Sequence, residues 1–256
     1  MTYCLGIITR HGLFLAADSR TNAGVDYIST YQKLFDFSEP GQRVILLATS
    51  GNLSITQAVL NALNQDLKLK EGENLHTLAT LYDTAQYVGS KIRQIQSQER
   101  PWLEKDRIDY HCTFLLGGQV QGEAPGLFMI YSQGNFIQAT PETPFLQIGE
   151  TKYGKPILDR TLTYDTSLEE AAKCGLLSID STMKSNISVG PPIDLVMYET
   201  DSFLLRHQLK LRLGDPYLAK MRQLWEISLR QAFERMPNIE WEQLEAPAPA
   251  DDLLTD

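Results

Sequence analysis

A threonine at position 2, an aspartate at 18 and a lysine at 33 are the residues of this chain whose types and spacing can do chemistry. Thr2 follows the initiator methionine and is small enough for Met1 to be trimmed, which would leave a free α-amine and a hydroxyl on one residue. A threonine hydroxyl is a weak nucleophile unless a base takes its proton. The α-amine, with an ordinary pKa of about 7.7–8.0, can be that base near neutral pH. A nearby lysine holds the amine neutral, because like charges disfavour one another, and an aspartate keeps the lysine charged and oriented. Asp18 closes the apolar run 13–17 and Lys33 opens the run 34–37, so both stand at strand ends. Taken singly, an acid at such a place is more often a solvated turn residue.

Other chemistries find no pattern. There is no GxSxG elbow, no P-loop, no HExxH and no GxGxxG opening a helix. The four histidines, His11, His76, His111 and His207, stand at unrelated positions and read as surface or strand residues. Three cysteines, Cys4, Cys112 and Cys174, are too few and scattered for a disulfide framework or a CxxC metal site, and read as reduced thiols. Cys4 as a nucleophile would need cleavage after Tyr3, which spoils the spacing to Asp18 and Lys33. No metal or organic cofactor is implied.

Composition narrows the classes further. With 43% hydrophobic and 21% charged residues over 256 positions, the chain reads as a soluble globular protein near the upper size of a single core. A net charge of -9 argues against a nucleic-acid partner, since phosphates demand a basic surface. No apolar run approaches the length needed to cross a bilayer. The first residues carry no signal peptide, because Thr9, Arg10, His11 and Gly12 break the apolar stretch, and a cytoplasmic location is expected.

The elements that must position these residues follow from periodicity. Residues 3–9 and 13–18 read as a hairpin about Arg10-His11-Gly12, and 33–37 with 44–48 as a second pair. Two amphipathic helices come next. The first spans 53–67; the second carries the stripe Leu78, Leu81, Ala85, Val88, Ile92, Ile95 and is expected to stop at Pro101. Such a stripe is too short for a coiled coil and suits packing on a sheet. Strands return at 112–116, 127–131, 135–139 and 145–148, then a helix at 168–184 and a hairpin of 193–198 with 203–211. A last amphipathic helix, 217–233, runs through Leu218, Met221, Leu224, Trp225, Ser228 and Leu229. Residues 1–240 read as one domain, and 241–256 as an acidic, Pro/Ala-rich tail expected to be disordered.

Three motifs in order carry a resemblance. The segment LAADSR at 15–20, then Tyr31-Gln32-Lys33-Leu34-Phe35, then Thr49-Ser50-Gly51, resembles the proteasome β-subunits and their bacterial HslV relatives. Residues 149–156 (GETKYGKP), residues 185–192 (SNISVGPP) and the long C-terminal helix are similar to the bacterial Anbu, or ancestral β-subunit, group. The resemblance implies an α+β fold, the four-layer αββα sandwich of the N-terminal-nucleophile hydrolases.

It also implies threonine peptidase chemistry. Thr2 would be nucleophile and base, with Lys33 tuning the amine and Asp18 positioning Lys33. Gly51 would offer its N–H to the developing oxyanion, Arg20 would be a structural ion-pair partner, and Ser188 would sit near the nucleophile. Two positions depart from the proteasome pattern. Ser185 stands where an aspartate is usual, and Glu150 follows the family glycine where a serine is usual. Both positions belong to the network supporting the amine. The implied partners are peptides or unfolded polypeptides, further copies of the chain in a ring or ring-like assembly, and an unfoldase. The alternative reading is a catalytically silent scaffold subunit of a proteasome-like particle.

Overall fold

A computed structural model describes residues 2–22, 28–69 and 72–241. The chain opens with strands β1 (Tyr3–Thr9), β2 (Gly12–Asp18), β3 (Arg20–Asn22), β4 (Ile28–Thr30), β5 (Leu34–Asp36) and β6 (Arg43–Gly51). Helices α1 (Leu53–Leu69) and α2 (Leu81–Lys105) follow. Next come β7 (Cys112–Val120), β8 (Gly126–Ile130), β9 (Phe136–Gln138) and β10 (Phe145–Gly149). The last third comprises α3 (Lys155–Thr161), α4 (Leu168–Ser185), β11 (Ile193–Glu199), β12 (His207–Leu211) and α5 (Pro216–Glu234).

Two antiparallel five-stranded sheets, β10-β1-β2-β11-β12 and β5-β6-β7-β8-β9, pack face to face, and β3-β4 form a separate two-stranded ribbon. Strand alternation sorts each side chain into one of three apolar layers. Between the sheets lie Cys4, Leu13, Leu15 and Ala17 from one side and Val44, Leu46, Ala48 and Leu115 from the other. The opposite parity of β6 and β7, Ile45, Leu47, Phe114 and Leu116, meets Ile55, Val59 and Leu63 of α1 and Ala85, Val88 and Ile92 of α2. Tyr3, Leu5, Ile7, Phe14 and Ala16 face Leu158 of α3, Ala171 and Ile179 of α4, and Leu218 of α5. Both sheets are therefore buried on both faces along their central strands, which is why those strands read as unbroken apolar runs. The product is the four-layer αββα sandwich.

Several elements differ from the sequence reading. Pro101 does not stop α2, which continues to Lys105. A proline near a helix end removes one backbone bond only, and Leu103 packs onto the core while Arg100 bonds Glu104 at 2.7 Å. At its other end α2 starts three residues after Leu78, because the Thr80 hydroxyl accepts the Asp83 N–H at 2.9 Å and caps the helix. The strand expected from 203 starts at His207, since Phe203 holds a left-handed φ of 48°. β3, β4 and α3 were not foreseen: the first two are three residues each, and the Gly-Lys-Pro that opens α3 reads equally as a loop.

α5 is the largest departure. It runs alongside the second half of α4, with Arg222 donating twice to Asp180 Oδ1 at 2.8 and 2.5 Å and Lys184 approaching Glu226 at 3.5 Å. α4 ends at Ser185, so α5 outruns it. Leu218 and Met221 pack on the core, whereas Leu229 and Phe233 on the later turns are 48% and 80% exposed. The amphipathic stripe is used by its first half alone. Of the expected tail only Trp241 is described; residues 242–256 lie outside the described residues.

Candidate active site

The site is built at one end of the sandwich, where β1 begins, β2 ends and the chain enters β5. Asp18 closes β2 and is fully buried. Its Oδ1 accepts both the Tyr3 N–H, at 3.0 Å, and the Lys33 ammonium, at 2.8 Å. Its Oδ2 accepts the Gly190 N–H at 3.1 Å. One carboxylate thus ties the start of β1, the lysine before β5 and the loop between α4 and β11. Lys33 is itself buried and donates a second bond to the Arg20 carbonyl at 2.6 Å. Burial pushes the Asp18 carboxyl above the ordinary carboxylate range, and the Lys33 ammonium pulls hardest against that, followed by the two backbone N–H groups.

Thr2 sits half-buried beside this pair, one residue before the N–H that Asp18 holds. Its carbonyl accepts the Glu150 N–H at 2.7 Å, which extends the β1–β10 pairing by one step. Gly149, at φ 87°, lies so close that a Cβ there would fall 2.0 Å from the Thr2 oxygen. Only glycine permits that approach. Met1, whose removal the chemistry requires, lies outside the described residues.

The residue after Thr2 is fixed from the opposite side. Tyr3 is fully buried, and its hydroxyl meets the Ser178 hydroxyl of α4 at 2.5 Å while accepting from Gln147 of β10 at 2.6 Å. Burial pushes this phenol up to about 12, so it remains a neutral strut.

Gly51 ends β6 opposite Cys112 of β7. The Asn52 N–H bonds the His111 carbonyl across that pair, and the Thr49 N–H bonds the Lys33 carbonyl on the other edge. Gly51 has φ 103°, and a Cβ there would lie 2.3 Å from the His111 oxygen. Gly51→Ala is expected to lower unfolding stability by about 2–4 kcal/mol, from backbone strain and overpacking together, read as a reduced urea midpoint.

The remaining expected residues divide. Glu150 Oε2 accepts from the Asn186 side chain at 3.1 Å, and Asn186 Oδ1 in turn accepts the Ser188 N–H at 3.0 Å. Glu150 and Ser188 are thereby joined beside Thr2. Ser185 is not part of that chain: it lies exposed at the end of α4, and its neighbour Asn186 makes the contact. The Arg20 guanidinium bonds the Ile187 carbonyl at 2.9 Å and packs where a Cβ on Gly190 would stand, so among the described residues Arg20 braces the loop through a carbonyl. The sequence reading gave no role to Asn186, Gly190 or Tyr3, although Asn186 and Gly190 lie inside the quoted motif 185–192, and it named Gly149 only as the family glycine before Glu150. Cys4 is fully buried with its thiol pushed above its ordinary range by burial, the opposite of an activated nucleophile.

Similar proteins share this arrangement of elements. The chain is 43% identical to Anbu (ancestral beta-subunit) from Yersinia bercovieri, with 93% of this chain and 98% of that one covered at a TM-score of 0.88. It is 45% identical to Anbu from Pseudomonas aeruginosa, solved as the helical assembly of the Anbu complex, with 93% and 98% covered at a TM-score of 0.89. Among curated sequences, proteasome subunit beta 2 of Pyrobaculum calidifontis is 23% identical over 202 residues, 76% of this chain and 87% of that protein. The profile described as proteasome subunit matches residues 2–197. The chain belongs to the proteasome subunit family, among its Anbu, or ancestral β-subunit, members.

Proposed function

We propose that this chain is a threonine-type endopeptidase whose nucleophile is Thr2, freed by removal of Met1. The observation that carries the reading is the shared Asp18 oxygen, which binds the peptide N–H next to Thr2 and the Lys33 ammonium at once. A structural ion pair has no need to hold the peptide N–H next to Thr2. In this reading the Thr2 Oγ attacks a peptide carbonyl as its proton passes to the Thr2 α-amine. The Gly51 N–H receives the oxyanion, a contribution of about 2.7–4 kcal/mol for donors of this kind. Collapse hands the proton to the leaving amine and leaves an ester on Thr2. Water, deprotonated by the same amine, then hydrolyses the ester. Lys33 keeps the amine neutral, Asp18 positions Lys33, and Arg20, Glu150 and Ser188 support the loop around Thr2.

Peptides or unfolded polypeptides are the substrates that fit. Residues 1–240 act as one hydrolase domain, and the chain works as a cytoplasmic assembly of its own copies fed by an unfoldase. The helical assembly of the Pseudomonas relative supports self-association. Among the described residues no helix is long and apolar enough to cross a membrane. A second reading, a silent scaffold subunit, draws on Glu150, whose carboxylate is engaged by Asn186 where the proteasome pattern has a serine.

Intact mass before and after incubation with a peptide epoxyketone separates the two, because this warhead closes on a free threonine amine and its hydroxyl together. A mass lacking one methionine that gains a single inhibitor is the expected result. Retained Met1, or a trimmed chain that gains nothing, would establish the scaffold reading instead.

A further inference from the structure

The bonds around Thr2 close into a circuit. Glu150, just past β10, donates its N–H to the Thr2 carbonyl at 2.7 Å. Its carboxylate reaches the loop after α4, where Oε2 accepts the Asn186 side-chain amide at 3.1 Å, while Oε1 accepts the Lys152 N–H at 3.3 Å. Four residues beyond Asn186 the Gly190 N–H meets Asp18 Oδ2 at 3.1 Å, and Asp18 Oδ1 holds the Tyr3 N–H at 3.0 Å. The Thr2 carbonyl and the Tyr3 N–H are the two ends of one planar peptide group. That peptide is gripped at both ends, by Glu150 and by Asp18, and the loop from Asn186 to Gly190 joins the two grips.

Asn186 is the joint. Its N–H ends α4 by bonding the Thr182 carbonyl at 2.8 Å, and its own carbonyl accepts the Val189 N–H at 3.1 Å. Its Oδ1 accepts the Ser188 N–H at 3.0 Å, so backbone and side chain together shape the turn that delivers Gly190. The side-chain Nδ2 is then the group that reaches Glu150. A side-chain amide carries a donor and an acceptor, which lets one residue serve a backbone N–H and a carboxylate at once. Aspartate would keep the first bond and set two carboxylates against each other at the second. Arg20 grips the same loop at the Ile187 carbonyl, so the loop has a second anchor when the tie to Glu150 is lost.

We infer that Asn186 is a positioning residue for Thr2. It acts through Glu150 and the 186–190 loop to fix the Thr2–Tyr3 peptide, and with it the Thr2 hydroxyl and amine, relative to Lys33. The inference rests on the reading of Thr2 as nucleophile and deepens it.

The epoxyketone labelling rate of the full-length chain, followed by intact mass, tests the role in Asn186→Asp and in Asn186→Asp/Glu150→Gln. The single variant should label at least ~10-fold more slowly, since misplacing a reacting group by about 1 Å can cost ~10²-fold. The double variant restores the bond with its polarity reversed, the new amide donating to the new carboxylate, and should return to within about threefold of the starting rate. On a peptide substrate the loss in Asn186→Asp should fall on kcat with KM unchanged, the split expected of nucleophile placement rather than substrate binding. A merely structural role would lower the urea midpoint and leave kcat per folded chain untouched. Labelling of Asn186→Asp at the starting rate, or a folded double variant as slow as the single one, would overturn the inference while Thr2 keeps its part. Should Asn186→Asp fail to fold, the double variant decides alone, by a restored or a reduced rate. A native chain that takes no inhibitor would remove the nucleophile reading itself, and this inference with it.

Discussion

The Thr2→Ala chain is expected to take up no epoxyketone and to turn over peptides roughly 10⁶-fold more slowly, the loss seen when a serine peptidase loses its nucleophile. In the proposed mechanism Thr2 alone carries the attacking hydroxyl and the amine that takes its proton on one residue. Ser188 lies on the loop held by Asn186, through its backbone N–H, and the Ser178 hydroxyl is bonded to Tyr3. Stability should hold. Thr2 is half-buried, and alanine retains the carbonyl that accepts the Glu150 N–H, so the change should stay within ~0.5 kcal/mol. Peptide turnover and a urea titration on the same preparation check both halves. Undiminished turnover in this variant would remove Thr2 from the mechanism.

The second large effect falls on Lys33. Lys33→Met leaves the Asp18 carboxylate buried with the Tyr3 and Gly190 N–H groups as its remaining partners. Breaking a buried pair from one side typically costs about 3–5 kcal/mol. Part of that should return in Asp18→Asn/Lys33→Met, where no charge is left buried, and the gain appears as a positive coupling in a double-mutant cycle. Labelling by the epoxyketone tells a catalytic lysine from a structural one. In the proposed mechanism the double variant is folded yet labels at least ~10²-fold more slowly, because its amine loses the neighbouring ammonium that keeps it deprotonated. The sign is open to a direct check. Without Lys33 the amine pKa rises, so residual labelling should recover as pH is raised. A folded double variant labelling at the original rate would make the pair purely structural.

What the sequence carried clearly was whatever depends on neighbours along the chain. β1, β2 and β6 were readable because burial on both faces forces apolar residues at both parities. The candidate trio was readable because Thr2, Asp18 and Lys33 stand close in sequence, within motifs that resemble a family. Gly190 and Asn186 were not, although they touch Asp18 and Glu150 directly. They reach the site from the loop after α4, 172 and 36 residues away from those partners, and periodicity has nothing to say about such contacts. The same limit explains α5. An amphipathic stripe predicts that a face will be buried, not what will bury it, so Leu218 and Leu229 looked alike until α4 was seen to end first.

The convergence on Asp18 has a consequence for timing during synthesis. Its carboxylate collects donors from positions 3, 33 and 190, so the site draws on both ends of the folded domain. A chain emerging from the ribosome holds Thr2, Asp18 and Lys33 early, but Gly190 arrives only when most of the sandwich has been made. Until then the aspartate lacks its third donor, the loop carrying Asn186 and Ser188 is missing, and Glu150 has nothing to receive it. The reaction proposed for Thr2 would thereby be deferred to the finished fold, and a growing or truncated polypeptide would carry the parts without the assembled site.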